Sequence, residues 1–191
     1  PTTVDVNAYH ESRILLMQQQ GSYFLTAFND ICEVVYSLGY DLVLHNHLRF
    51  GLDRGLGIYS YIAFLCIAGF LYNFYNDEKR LEGWYFIPCL LFLGLIEPVY
   101  QSFSAKNDLP GVLACLASFH AYTVWKKHPK SIYILLSLMA LTWAIACKMI
   151  YIAFAFPMLL IWINKWLKQK EFFKFSFNQI IFSLILIFFI S

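Results

Sequence analysis

A chain of 191 residues that is 60% hydrophobic and 19% aromatic, with mean hydropathy +0.58, carries more apolar surface than a water-soluble domain of this size can cover. Its 14 basic and 12 acidic residues leave a formal charge of only +2. The composition excludes an ordinary soluble globular domain and predicts an all-α, polytopic membrane helix bundle.

In chain order, the first feature is the stretch at residues 3–13, TVDVNAYHESR. It puts a lone aspartate, Asp5, and a Tyr9-His10-Glu11 cluster ahead of the hydrophobic segments. An acid at the mouth of a membrane bundle is there for chemistry; the plain alternative is a solvated acid in an external loop. Residues 31–50 carry Asp41, His45, His47 and Arg49 among apolar residues at helical spacing. That pattern is too polar to span and predicts an amphipathic helix on the outer membrane surface.

Residues 55–75 then run 21 positions without a charge, enough at 1.5 Å per residue to cross a hydrocarbon layer of about 30 Å. Further spans are expected at 84–104, 109–125, 131–147 and 149–163. The last is short and calls for Trp162 and Trp166 at the membrane interface. A sixth span begins near Phe177 and is still apolar at Ser191. With no initiator Met and an interrupted span, the sequence reads as a fragment of a longer chain with both ends missing. Two regions are expected: 1–54, a first external loop with the acid and the surface helix, and 55–191, the transmembrane bundle.

Lys and Arg set the orientation, because positively charged loops stay cytoplasmic. Nine of the 14 basic residues lie in three alternating loops: Lys79 and Arg80; Lys126, Lys127 and Lys130; and Lys165, Lys168, Lys170 and Lys174. The first 54 residues, the loop near 104–108 and the connection at Lys148 then share the external face. Asp5, Glu11, Asp30, Glu33, Asp41, Asp53 and Asp108 gather there. Arg13, Arg49 and Arg54 put positive charge on the same side, which a segment longer than a short loop tolerates.

Cys32, Cys66, Cys89, Cys115 and Cys147 are scattered singly and form no CxxC pair and no disulfide framework. No phosphate-binding glycine loop and no zinc-finger spacing occurs, so a soluble nucleotide site is unsupported and no nucleic-acid partner is expected. His45 and His47 would need Glu33 or His10 to complete a metal site, and residues two apart do not share a helix face. No metal ligands are assigned.

Asp108, in SAKNDLPG, has as its plain reading an ordinary N-cap with Pro110 in the first turn, and capping can coexist with catalysis. Lys148 stands alone between two apolar runs. A lysine at a helix centre in the membrane costs roughly 2.5 to 3.5 kcal/mol on the insertion scale. Either it snorkels at a tight turn or it faces the bundle interior to hold an anion. Glu97, in LIEPVY, is either its partner or an interfacial residue.

Together these residues resemble the GT-C superfamily of membrane glycosyltransferases, in particular its protein O-mannosyltransferase and aminoarabinose-transferase branch. Family members carry an acid in the first external loop, often followed by a Tyr-His pair and an Arg, matched by Asp5, Tyr9, His10 and Arg13. Glu33 matches the acidic position that introduces a surface helix, and Gly51 to Arg54 approximate a Gly-x-x-Arg element. Asn107 and Asp108 match an Asn-Asp pair heading a later helix, and Cys147 and Lys148 stand where a Thr-Lys or similar pair lies. The resemblance covers about residues 3–165. The proline pair ahead of the surface helix is absent, Cys147 replaces a threonine or similar residue, and the large soluble C-terminal part is not in this sequence.

The resemblance implies transfer of a sugar from a polyprenyl-phosphate donor to a glycan, lipid or protein acceptor at the outer face. Asp5 is the expected general base, with Asp108 orienting the site or assisting the acceptor. Lys148 and Arg13 are expected to stabilise the departing lipid phosphate, and Tyr9 and His10 to contact sugar or acceptor. Glu33 and Asn107 complete the expected substrate contacts. No cofactor is required, and a divalent metal is left open. The short loops and the absence of an Asn-x-Ser/Thr acceptor make a bacterial inner membrane the default, with the site on its periplasmic face. The alternatives are a lipid-linked glycan polymerase or ligase resting on external arginines, and a non-catalytic transporter or flippase. The transporter predicts midplane polar residues and broken helices repeated in two halves.

Overall fold

The computed structural model describes residues 11–21, 38–50, 55–77, 84 and 86–168, and among these the fold is all helix, with no strand. The elements are α1 (Glu11–Gln20), α2 (Gly39–Arg49), α3 (Ile58–Asp77), α4 (Ile87–Gly94), α5 (Ile96–Ser102), α6 (Asp108–Lys127), α7 (Ser131–Cys147), a 3₁₀ turn (Met149–Tyr151) and α8 (Ile152–Lys168). They fall into two compact units: Pro1–Tyr36 with Tyr40–Leu113, and Ser37–Gly39 with Ala114–Ser191.

In the first unit, α3 buries Ser60, Ala63, Phe64, Ile67 and Ala68, an i, i+3, i+4, i+7, i+8 stripe. Against it lie α4 and α5, with the Phe64 and Phe92 rings 5.1 Å apart and Tyr61 stacked on Phe103 at 6.2 Å. The single span expected at 84–104 is broken in two. Leu95 is extended (φ −70°, ψ 127°) between α4 and α5. The cause is Pro98, which has no N–H to give to Gly94 and fits only in the first turn of a new helix.

α1 was not expected as a helix. It buries Arg13, Ile14 and Met17, positions i, i+1 and i+4, while Gln18, Gln19 and Gln20 face out. α2 does the same with Tyr40, Asp41, Leu44 and His45. The surface helix expected at 31–50 is thus described from Gly39 onward, and the span expected from Phe177 lies outside the described residues.

In the second unit, Ala114 and Cys115 of α6 pack with Ala144 of α7, flanked by Trp143 and Tyr151. Leu141 packs with Ala155 and Met158 of α8, flanked by Tyr122 and Ile145. Gly39 lies so close to Ala146 that a β-carbon would sit 2.7 Å from the Ala146 Cβ and carbonyl oxygen, so this position requires glycine. Trp162 is a core residue rather than an interfacial anchor: it is 7% exposed, tilted on Trp125 at 4.9 Å and edge-on to Tyr122 at 5.2 Å. Its indole N–H donates to the Ser137 Oγ (3.1 Å), which also bonds the Ser118 Oγ (2.8 Å). An indole N–H in an apolar seam needs an acceptor, and Ser137 supplies one. Ser137→Ala removes it and takes a hydrogen-bond partner from both the Trp162 N–H and the buried Ser118 hydroxyl. The expected result is a loss of about 1–3 kcal/mol, read as a lower thermal midpoint of the purified protein.

Among the described residues one helix is long and apolar enough to cross a membrane: Ile58–Asn76, with hydropathy 1.4 and 28% of its best window buried. The 84–104 segment is split, and α7 has 17 residues, about 25 Å at 1.5 Å each. α6 carries Asp108 in its first turn and Lys126 and Lys127 in its last.

Candidate functional site

The first unit contains an ion pair that has no exposure to solvent. Arg13 of α1 brings its Nη1 to 3.1 Å from the Asp41 Oδ2 of α2, and both side chains are 0% exposed. On the same two helices Ile14, Met17, Tyr40 and Leu44 are each about 1% exposed. A guanidinium could not be held in so apolar a seam without a counter-charge, nor could the carboxylate.

α2 is joined in turn to the start of α3. The Ser60 hydroxyl donates to the Lys106 carbonyl at 2.8 Å, so its one hydrogen is spent there and the Tyr40 hydroxyl, 3.3 Å away, is the donor to Ser60. His47 Nδ1 lies 3.0 Å from the Tyr59 hydroxyl, and the two rings meet edge-on. Gly57 closes the same end, since a β-carbon there would lie 3.2 Å from the Phe103 carbonyl. A continuous series of contacts therefore runs from α1 through α2 and the first turn of α3 to Lys106. Lys106 immediately precedes Asn107 and Asp108.

Asn107 is buried, and its carbonyl accepts the first bond of α6, from the Gly111 N–H at 3.1 Å. Asn107 thus occupies the N-cap position, one residue before the expected cap, and Asp108 is the first residue of the helix. Asp108 is half-buried in the first turn, where a carboxylate is favoured by the helix dipole.

Lys148 belongs to the second unit. It is extended (φ −160°, ψ 125°), ends α7 by donating its N–H to the Ala144 carbonyl (3.0 Å), and accepts from the Tyr151 N–H (3.1 Å). A tight connection at this lysine was expected, and the short 3₁₀ turn supplies it. The neighbouring Cys147 is fully buried. Glu97 is exposed and accepts from the Gln101 Nε2 at 2.8 Å.

Asp5, Tyr9, His10 and Glu33 lie outside the described residues, as does the 51–54 element. Of the candidates in the first unit, Arg13, Asn107 and Asp108 sit on elements joined by the contacts above. Sequence reading did not assign a role to Asp41, Tyr40 or Ser60. The available signal was Asp41 itself, an acid flanked by apolar residues in LGYDLVL.

His45, one helical turn beyond Asp41, is 5% exposed. Burial, and then the positive charge of Arg49, hold its pKa below the usual 6.5. A lowered folded pKa means the unfolded chain takes up the proton first as pH falls. The stabilisation from neutral His45 is complete above about pH 6.5 and is lost as pH drops through the window below it. The expected outcome is a thermal midpoint that falls between about pH 7 and about pH 5.5, and a His45→Gln variant in which that part of the slope is absent.

Among the described residues no group of three or more His, Cys, Asp or Glu side chains is placed to hold a metal ion. Compared with known proteins, the chain matches no family model, no curated protein and no solved structure.

Proposed function

We propose that the chain is the membrane part of a glycosyltransferase that moves a sugar from a polyprenyl-phosphate donor to an acceptor hydroxyl. The face used would be the external, periplasmic side of a bacterial inner membrane. The observation that carries the reading is the contact series Arg13–Asp41, Tyr40–Ser60–Lys106, at one end of α3. It joins the helix that follows Asp5, Tyr9 and His10 to the turn that precedes Asn107 and Asp108. A GT-C-like enzyme requires its first and second external loops to serve one site.

Membrane residence is supported by where α3 leaves its apolar residues. Ile58, Ile62 and Leu65 are each about half exposed on a helix with no charge before its last residue. A core helix of a soluble protein would bury them. α8 likewise exposes Phe156, Leu160 and Ile163, and the packed faces of α6 and α7 rely on Ala114, Ala121, Ala144 and Ala146. Small residues at helix contacts and large apolar ones facing out is the arrangement that lipid favours.

In the reaction, Asp5 takes the proton of the acceptor hydroxyl as that oxygen bonds to the anomeric carbon. The bond from this carbon to the donor phosphate breaks, and the phosphate leaves with the electron pair and one more negative charge. The family resemblance assigns the stabilisation of that charge to Lys148, and Asp108 orients the acceptor. Sugar and lipid moieties meet an aromatic-rich chain.

The break between α4 and α5 favours a second reading, since transporters place discontinuous helices around their substrates. Reconstitution of the full-length protein with sugar-labelled polyprenyl-phosphate donors separates the two. Labelled acceptor together with free polyprenyl phosphate supports the transferase. Donor that crosses the bilayer uncleaved replaces it with the transporter.

A further inference from the structure

We infer that the end of the second unit where α6 stops, α7 starts and α8 stops is a binding surface for anionic phospholipid headgroups. For the bilayer that supplies them, the inference rests on the membrane reading above.

Side-chain contacts bring those three ends together. Ser118 of α6 meets Ser137 of α7, and Ala114 packs with Ala144, so the two helices run antiparallel. Leu141 of α7 packs with Ala155 and Met158 of α8, and the Trp162 N–H reaches Ser137, so α8 runs back alongside α7. Trp162 then stands against Trp125, in the last turn of α6.

The sequence places Lys126 and Lys127 in that last turn, Lys130 at the N-cap of α7, and Lys165 and Lys168 in the last turn of α8. Lys126, Lys127 and Lys130 are exposed. From Leu109 to Lys170 the chain has no Asp or Glu, so the packed part of these helices offers the lysines no carboxylate. Asp108 heads α6 at its far end, and Glu171 lies outside the described residues. The C-terminal dipoles of α6 and α8 offset about half a charge each, and the N-terminus of α7 returns about half a positive charge. Most of the lysine charge is left for anions from outside the unit.

The flanks of the same helices decide which anion. Ile132 and Leu136 of α7 follow directly on Lys130, and Leu160 and Ile163 of α8 come just before its lysines; each is about half exposed. A soluble polyanion would meet the lysines and leave those apolar residues in water. A phospholipid supplies both parts, phosphate for the ammonium groups and acyl chain for the flank. Lys148, at the other end of α7, is 17 residues or about 25 Å away, so this surface is remote from the proposed reaction. In the proposed orientation it meets the cytoplasmic leaflet, whose surface is negative.

The test places the full-length protein in phosphatidylcholine nanodiscs with a trace of spin-labelled phosphatidylglycerol or spin-labelled phosphatidylcholine. The fraction of each label immobilised by the protein is compared. The wild type is expected to favour the anionic label at least about fivefold, the effect of one lysine near a lipid surface. Most of that preference should vanish in about 1 M salt, where screening acts beyond about 3 Å. Lys126→Gln, Lys127→Gln and Lys130→Gln together are expected to bring it below about twofold, and Arg at the same three positions to keep it. If the Gln variant is misfolded, read as a lower thermal midpoint in pure phosphatidylcholine, the salt dependence and the Arg variant decide.

Equal immobilisation of the two labels by the wild type overturns the inference. So does a preference that survives high salt or persists in a folded Gln variant. Equal immobilisation together with lysine-dependent binding of polyglutamate makes the occupant a soluble acidic partner instead. A wild type that alkaline washing strips from phosphatidylcholine vesicles ends the membrane reading and this inference with it. One that stays embedded without headgroup preference ends this inference alone.

Discussion

On the proposal that Asp5 is the general base of a sugar transferase, Asp5→Asn is expected to lower transfer by about 10² to 10⁴ while donor binding persists. Asparagine keeps the size and polarity of the side chain and removes its capacity to take a proton from the acceptor. The loss should therefore appear in kcat, since the interaction that is missing forms only as the acceptor oxygen attacks. Single-turnover transfer at saturating labelled donor, with binding measured separately on the same preparation, is the decisive assay. A variant that transfers sugar at the wild-type rate removes Asp5 from the role of base. Loss of binding with residual transfer per bound donor unchanged would instead make Asp5 a donor contact.

The apolar helices were legible because each is bounded by residues that cannot enter a packed or lipid-facing interior. The stretch 131–147 was read to the residue, since Lys130 and Lys148 flank a continuous apolar run. The stretch 109–125 grew by one residue at its head and two at its tail, and 55–75 moved on by a turn because Gly55, at φ +90°, cannot start a helix. The break at Leu95 was missed because hydropathy is blind to a missing N–H; Pro98 was the only local sign. α1 was missed for a different reason. Its sequence, ESRILLMQQQ, looks like a solvated loop, and the counter-charge that accompanies the buried Arg13, Asp41, lies in another helix. Trp162 was read from its place near a span end, whereas its environment is set by Ser137, Tyr122 and Trp125 on two other helices. Long-range pairing decided the surroundings of Arg13 and of Trp162, and a single sequence does not carry it.

The ion pair also sets the second large effect. Breaking it from one side, with Arg13→Met or Asp41→Leu, leaves an uncompensated charge on a side chain with no exposure to solvent. The cost expected for a buried pair broken in this way is about 3–5 kcal/mol. The double variant Arg13→Met with Asp41→Leu removes both charges, and packed apolar groups in their place restore most or all of that loss. Unfolding free energies from denaturing-detergent titrations of the four proteins close the cycle. Two single variants within about 0.5 kcal/mol of the wild type, or losses that simply add in the double variant, would show that the pair is not coupled in the folded protein.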